Sequence, residues 1–185
     1  MSPLLIVLLV IFLIALFLVS IYNRLTRLRI LVKEGWSGIG TFLQQRNDMI
    51  PNLVETVKGY ALHESGTLAD VVKWRNQAIS AKTPAEQMEA GNGMNKALGN
   101  FFAIAEQYPD LKANANFLSL QADLKEMETK INQSRRYYNG TVRDYNQSVA
   151  VFPNNLLAGM FGFTPETFFE EEAVARDIPK VSFKP

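Results

Sequence analysis

The sequence predicts an all-α protein, in which an N-terminal transmembrane helix is followed by an antiparallel, up-and-down four-helix bundle. Three observations lead to this prediction. Residues 1–23 contain no charged side chain, apolar residues in the remainder recur at spacings of three and four, and no run of strands is evident. We expect an anchor over residues 1–23, a helical bundle over residues 24–153, and an apolar flap with an extended tail over residues 154–185.

The apolar N-terminal segment has the length of a membrane span. Leu4–Val19 is an unbroken apolar run, and about 19 helical residues rise roughly 28 Å, close to the thickness of the hydrocarbon core. A cleaved signal peptide is the alternative, but it requires a basic segment before the apolar run and a small-x-small cleavage site, and neither is present. We therefore expect a retained, single-pass anchor in the bilayer.

Basic residues follow the span and none precedes it. The positive-inside rule then places the N-terminus outside and the C-terminal domain in the cytoplasm, at the inner membrane of a bacterium. The same side chains are candidates for contact with lipid headgroups, and the simpler interpretation is a topology signal alone. These residues are Arg24, Arg27, Arg29 and Lys33.

The first helix of the bundle is predicted to continue the span along an apolar stripe that runs from Leu25 to Leu43. It is expected to end near Asn47–Pro51, with Asp48 as the N-cap of the second helix. A kink at Pro51 within one long helix is the alternative. The second stripe runs from Leu53 to Val72.

The third and fourth helices have clearer boundaries. Thr83-Pro84 with Glu86 predicts an N-cap followed by proline in the first turn, and this helix extends to about Gln107. Apolar residues from Phe117 to Phe152 then recur at 3-4 spacing over about five heptads, which predicts a coiled-coil-like seam.

An even number of helices returns the chain toward the membrane. Residues 154–169 are apolar and would lie near the bilayer, either as a flap that closes the bundle or as a membrane-surface contact. The absence of basic residues from this stretch favours the flap. The residues that would contact the membrane are Leu156, Leu157 and Phe161.

Two polar features fall on apolar stripes, at Arg46 and at Arg135-Arg136. They would form a polar layer that binds a ligand or partner, or a salt-bridged layer that fixes the register of the helices, and the second interpretation is the simpler one. The candidate partners of these arginines are Asp48, Asn52, Glu55 and Glu128.

Composition excludes several kinds of site. The 185 residues include 19 Lys+Arg, 18 Asp+Glu, one His and no Cys. Disulfides, thiolate nucleophiles and His-pair metal sites are therefore absent, and His63-Glu64 is not a HExxH motif because Thr67 occupies the last position. A net charge of +1 provides no global field for nucleic acid. We expect no catalytic residue, no cofactor, no metal and no nucleic-acid partner.

Several motifs together resemble the LemA family of bacterial membrane-anchored helical proteins. The most specific is the stretch QRNDMIPNLVETVKGYA over Gln45–Ala61, and the others are Trp36-Ser37, Tyr108–Asn114, Arg135–Asn139, Phe152-Pro153, Phe168–Glu170 and Pro179–Phe183. The resemblance implies a bromodomain-like four-helix bundle with no established catalytic activity or cofactor. It also suggests work in membrane organisation, since the family includes a magnetosome-membrane member.

The sequence favours a non-enzymatic, membrane-anchored scaffold or adaptor that binds protein partners or forms a homo-oligomer. The seam of the last helix leaves open whether it closes a bundle within one chain or joins several chains. The alternative is direct membrane shaping through a lipid-binding surface. A remote alternative is an unrecognised hydrolase that uses His63 and Glu64.

Overall fold

The computed structural model describes residues 3–60 and 65–169. Every regular element in these ranges is a helix, which confirms the all-α class and the long apolar N-terminal helix. The predictions for His63 and Glu64, and for the tail beyond residue 169, lie outside the described residues. The elements are α1 (Pro3–Lys58), α2 (Ser65–Ser80), α3 (Pro84–Ala105), α4 (Pro109–Lys112), α5 (Ala115–Ala150) and α6 (Asn154–Phe161).

The chain divides into two compact units, and α1 and α5 each contribute to both. Unit 1 contains α1 up to Thr41 together with Ile131–Phe168, and unit 2 is built from Phe42–Lys130 with Phe169. Unit 1 therefore includes the later part of α5 and all of α6, whereas unit 2 includes α2, α3, α4 and the first part of α5.

Helix α1 continues through Pro51 to Lys58, so the predicted end near Asn47 is wrong and the alternative of one long helix is correct. Proline has no backbone N–H, and the carbonyl of Asn47 loses the donor that residue 51 would otherwise supply. Arg75 on α2 replaces it, because its Nε donates to that carbonyl at 3.0 Å. Asp48 does not cap a helix; its carboxylate accepts a hydrogen bond from Gln44 at 2.8 Å.

The predicted start of α3 is confirmed. The hydroxyl of Thr83 accepts from the Glu86 N–H at 3.3 Å, and the Glu86 carboxylate accepts from the Thr83 N–H at 3.2 Å. Pro84 occupies the first turn. The backbone N–H of Lys82, followed by that of Thr83, lowers the pKa of the Glu86 carboxyl because both hydrogen bonds favour its charged form.

The core of unit 2 joins α1, α2, α3, α4 and α5. Phe101 and Phe117 pack with ring centroids 6.4 Å apart, and Gly93 lets the Trp74 ring lie directly against α3, since a Cβ there would fall 2.3 Å from that ring. The buried apolar residues are Ile50, Leu53, Val57, Val71, Met94, Ala97, Leu98, Phe101, Ala105, Leu111, Phe117 and Leu124.

The core of unit 1 lies between the first part of α1 and the later part of α5. The helices approach closely at Gly35, where a Cβ would lie 3.2 Å from the Tyr138 Cα. The adjacent Trp36 ring packs edge-on against the Tyr138 ring, with their centroids 5.3 Å apart. The later part of the predicted seam is buried here at Ile131, Tyr138, Tyr145 and Val149, whereas its last predicted residue, Phe152, lies beyond α5 and is exposed. The buried apolar residues of this unit include Ile21, Leu25, Val32, Ile39, Ile131, Tyr138, Val142, Tyr145, Val149, Leu157 and Ala158.

Candidate functional site

Polar side chains from α1, α3 and α5 meet in unit 2, and we call Arg46, Asn95 and Glu128 the polar cluster. Arg46 is 1% exposed, and its Nη1 donates to Glu128 Oε2 at 3.2 Å and also to Asn95 Oδ1. Asn95 Nδ2 donates to Glu128 Oε1 at 3.0 Å. The three side chains therefore form a closed ring of hydrogen bonds that ties α1, α3 and α5 together.

A cavity of about 320 Å³ opens on the polar cluster. Its remaining wall combines the apolar residues Leu98, Phe102 and Leu124 with the polar residues Gln121 and Lys125. Cavities of this size, with apolar walls and a few polar groups, can hold a small molecule or a partner's side chain. The hydrogen bonds that Arg46 makes to Asn95 and Glu128 join α1 to α3 and α5.

The polar layer predicted from sequence is assembled only in part. Glu128, one of the predicted partners, contacts Arg46. By contrast, Asp48, Asn52 and Glu55 are exposed. Each of them accepts a hydrogen bond from a residue of α1 itself. The donors are Gln44 to the Asp48 carboxylate, Thr56 to the Asn52 carbonyl and Lys58 to the Glu55 carboxylate.

The pair Arg135-Arg136 is also divided, with one side chain buried and the other exposed. Arg135 is 7% exposed and belongs to unit 1, whereas Arg136 is exposed. Asn95 was missed because nothing in a glycine-rich stretch of α3 distinguishes one asparagine as the partner of a distant arginine.

The basic residues that follow the apolar span have unequal environments. Arg24, Arg27 and Lys33 are exposed. The guanidinium of Arg29 lies over the Phe163 ring, 5.4 Å from its centroid, which is the geometry of a cation–π contact. Three of the four basic side chains that are candidates for headgroup contact are thus exposed on the surface of unit 1.

Helix α6 packs against the point at which the apolar span ends. The Tyr22 ring packs edge-on against the rings of Phe161 and Phe163, with centroid distances of 5.1 Å and 5.6 Å. Gly162 has φ 69°, a left-handed conformation that suits glycine, and this turn brings Phe163 back onto α1 after α6 ends.

The two faces of α6 differ in exposure. Leu157 and Ala158 are buried in unit 1, so Leu157 fits the predicted flap. Leu156 is 60% exposed, Met160 76% and Phe161 54%. We call these three residues, together with Phe152, which is 78% exposed, the α6 surface.

The segment after α6 returns along α5. The Tyr145 hydroxyl donates to the Thr164 carbonyl at 3.0 Å, and the Tyr138 hydroxyl donates to the Thr167 carbonyl at 2.8 Å. Between them, Asn146 donates to the Glu166 carbonyl and accepts from its N–H, both at 2.8 Å.

Both tyrosine side chains are buried, and their hydroxyls act as protonated donors. Burial raises the pKa of Tyr138, and the charge of Glu166 raises it further. Burial also raises the pKa of Tyr145, where Arg29 acts in the opposite direction and Glu166 in the same direction. The sequence offered no signal for these bonds, because their acceptors are backbone carbonyls of a non-helical segment.

Metal ions need a set of donor side chains that lie close together. Across residues 3–60 and 65–169, no group of three or more His, Cys, Asp or Glu side chains could hold a metal ion. One helix in the same ranges, α1, is long and apolar enough near the N-terminus to cross a membrane.

Comparison with known proteins gives one family and several distant relatives. A family model described as the LemA family matches residues 35–183. Magnetosome protein MamQ 2 of Paramagnetospirillum magneticum is 25% identical over 172 residues, which cover 79% of this chain and 63% of the relative. Protein LemA of Metamycoplasma hominis is 23% identical over 158 residues, which cover 83% of this chain and 71% of the relative. The chain thus spans less than two thirds of the length of the magnetosome relative.

Proposed function

Because the chain belongs to the LemA family, we propose that it is a membrane-anchored helical scaffold that binds protein partners or further copies of itself at the membrane surface. The observation that carries this proposal is the continuity of α1. One helix of 56 residues contains the candidate membrane span and also supplies Ile50, Leu53 and Val57 to the core of unit 2.

Continuity of α1 distinguishes a scaffold from a tethered domain. A flexible linker would let a domain sample many orientations relative to its anchor. Here the helix that leaves the span is packed into unit 1 within a few residues, at Ile21 and Leu25. The anchor and unit 1 therefore share one continuous helix, which suits a protein that presents the surface of this unit to partners in a fixed orientation.

We further propose that the helical domain is the up-and-down four-helix bundle of the family, formed by α1, α2, α3 and α5. Support comes from unit 2, where α2 packs against α3 and the short connection at Ala81–Thr83 ends in the capping box of α3. Short connections favour antiparallel neighbours.

The proposed location is the bacterial inner membrane, with a single span, the N-terminus outside and the helical domain in the cytoplasm. The basic residues after the span support this orientation. One Cys added after Pro185 tests it, because the chain has no native Cys. An impermeant maleimide should label this Cys only after lysis, and labelling of intact cells would reverse the orientation.

Partner binding is tested by photo-crosslinking in cells. A photoreactive amino acid is placed at Ile79 on α2, at Lys125 beside the cavity, or at Gln133 on α5, one position at a time. Ile79 is 54% exposed, and Lys125 and Gln133 are also exposed. We expect adducts of defined mass at some positions and not at others. No adduct at any position, together with monomer alone in several mild detergents, contradicts the scaffold proposal.

Direct membrane shaping is the second candidate, and the exposed apolar residues of α6 favour it. It predicts that the full chain, reconstituted at increasing density, changes the diameter or curvature of lipid vesicles in electron micrographs. Vesicles that keep their size and shape at every density exclude this role.

A further inference from the structure

We propose that α6 is a membrane-interface helix, which lays the α6 surface into the headgroup region of the same bilayer that holds the span. This inference rests on the membrane location in the proposed function and is independent of partner binding. It assigns the chain a second contact with lipid, about 130 residues after the first along the sequence.

The position of α6 follows from the antiparallel packing in unit 1. Trp36 on α1 contacts Tyr138 on α5, and about two turns further along, Arg29 is close enough to influence the pKa of Tyr145. Each pair of residue numbers has the same sum, 36 + 138 and 29 + 145, as expected for two antiparallel helices. The same register places Ala150, the last residue of α5, opposite Arg24, two residues from Tyr22.

Direct contacts agree with this register. The Tyr22 ring, at the end of the uncharged segment, touches Phe161 at 5.1 Å. Tyrosine is enriched where a transmembrane helix leaves the hydrocarbon core. Since Tyr22 lies at that level, the Phe161 end of α6 lies at that level as well.

The composition of α6 suits this position. The helix reads NNLLAGMF and carries no charged side chain. Its inner face, with Leu157 and Ala158, is buried in unit 1, yet its outer face carries Leu156 and Met160 one turn apart, both mostly exposed. A continuous apolar patch of this kind is unfavourable in water, whereas the boundary between headgroups and acyl chains accommodates it.

Charge at this end of unit 1 favours a lipid surface over a protein groove. Residues 154–165 contain no basic residue of their own, but the fold brings the exposed Arg24 and Arg27 of α1 to the same end. Guanidinium groups beside an apolar patch match phosphates above acyl chains. Glu166 is the first acidic residue after α6, and its backbone N–H and carbonyl are held by Asn146 on α5.

Fluorescence quenching in the full-length chain tests the proposal. Single-Cys variants Met160→Cys and Leu156→Cys carry a small environment-sensitive fluorophore and are reconstituted into vesicles of phosphatidylethanolamine and phosphatidylglycerol. Val19→Cys, in the span one turn before Tyr22, is the control for lipid at matched depth. Gln133→Cys, exposed on α5 in the same unit, is the control for water. Circular dichroism verifies that each variant keeps its helix content.

We expect a nitroxide near the headgroup end of the lipid chains to quench the labels at 160 and 156 to the extent seen at 19, and aqueous iodide to quench only the label at 133. If iodide quenches 160 and 156 as it does 133, α6 lies in water and the proposal is overturned. Protection from both quenchers means that a second copy or another protein covers α6, which also overturns it. Neither result depends on the crosslinking test of the scaffold role.

Discussion

The hydrogen bond from Arg75 to the Asn47 carbonyl should be essential only because residue 51 is proline. Pro51 lies inside α1 and cannot donate to that carbonyl. Asn47 is 3% exposed, so water does not readily replace the missing donor. Removing the guanidinium therefore leaves a buried acceptor without its donor, and restoring an N–H at position 51 should make the guanidinium dispensable.

The magnitude follows from the kind of bond that is lost. A hydrogen bond from a charged donor contributes about 1.5–3 kcal/mol, and an unsatisfied buried carbonyl costs about 1–3 kcal/mol. We expect Arg75→Met, which keeps an apolar stem of similar length, to lower the free energy of unfolding by about 2 kcal/mol. In a Pro51→Ala background the N–H of the new alanine donates to Asn47, and the same substitution should cost less than about 1 kcal/mol. The coupling energy is then about 1–2 kcal/mol.

Urea unfolding of the full chain in a mild detergent, followed by circular dichroism, measures the four free energies of this cycle. Lys96→Met is the matched control, because Lys96 is exposed in the same unit; its effect should stay within about 0.5 kcal/mol. Equal penalties for Arg75→Met in both backgrounds would refute the reasoning, since the bond would then stabilise the fold independently of the proline.

Two further predictions concern packing and pH. Gly93→Ala should lower the free energy of unfolding by about 1–3 kcal/mol, because its Cβ would lie 2.3 Å from the Trp74 ring. Gly99→Ala on the same helix, where a Cβ meets open space, should instead raise the free energy of unfolding by about 0.5–1 kcal/mol. Denaturant midpoints that move in the same direction in both variants would contradict this account. The raised pKa values of Tyr138 and Tyr145 mean that the unfolded chain loses these protons at lower pH than the folded chain. Their stabilisation should be complete below about pH 10 and lost as the pH rises through the folded-state pKa values. A variant with both tyrosines replaced by Phe should lose less stability than the parent between pH 9 and pH 11 in urea titrations; identical losses would contradict the prediction.

Local signals in the sequence predicted those parts of the fold that depend on neighbouring residues. The capping box at Thr83 and Glu86 was recognisable because its hydrogen bonds join residues three apart. The seam of α5 was recognisable because its period persists over many turns. The end of α1 was misplaced because the donor that replaces the missing N–H of Pro51 is Arg75, which lies 28 residues from its acceptor Asn47 in the chain. No residue near Pro51 in the sequence indicates that such a donor exists.

The candidate sites were predictable to the same degree. Arg46 stood out as a charge on an apolar stripe, and Glu128 was among its expected partners. Asn95 was not, because an asparagine in a helix is ordinary until the fold brings an arginine to it. The exposure of Leu156 and the burial of Leu157 were equally hidden, since both are leucines of one short apolar run and only the packing of α6 separates them.

Helix α1 also makes the chain sensitive to the thickness of its bilayer. A hydrophobic span that exceeds the local hydrocarbon thickness tilts. Because α1 leaves the span without a break and packs into unit 1 at Ile21 and Leu25, such a tilt turns unit 1 with the span. The 19 residues from Asn23 to Thr41 rise about 28 Å, so each 10° of tilt moves their far end by roughly 5 Å. A bilayer of different thickness would therefore present the exposed surface of unit 1 at a different angle to the membrane.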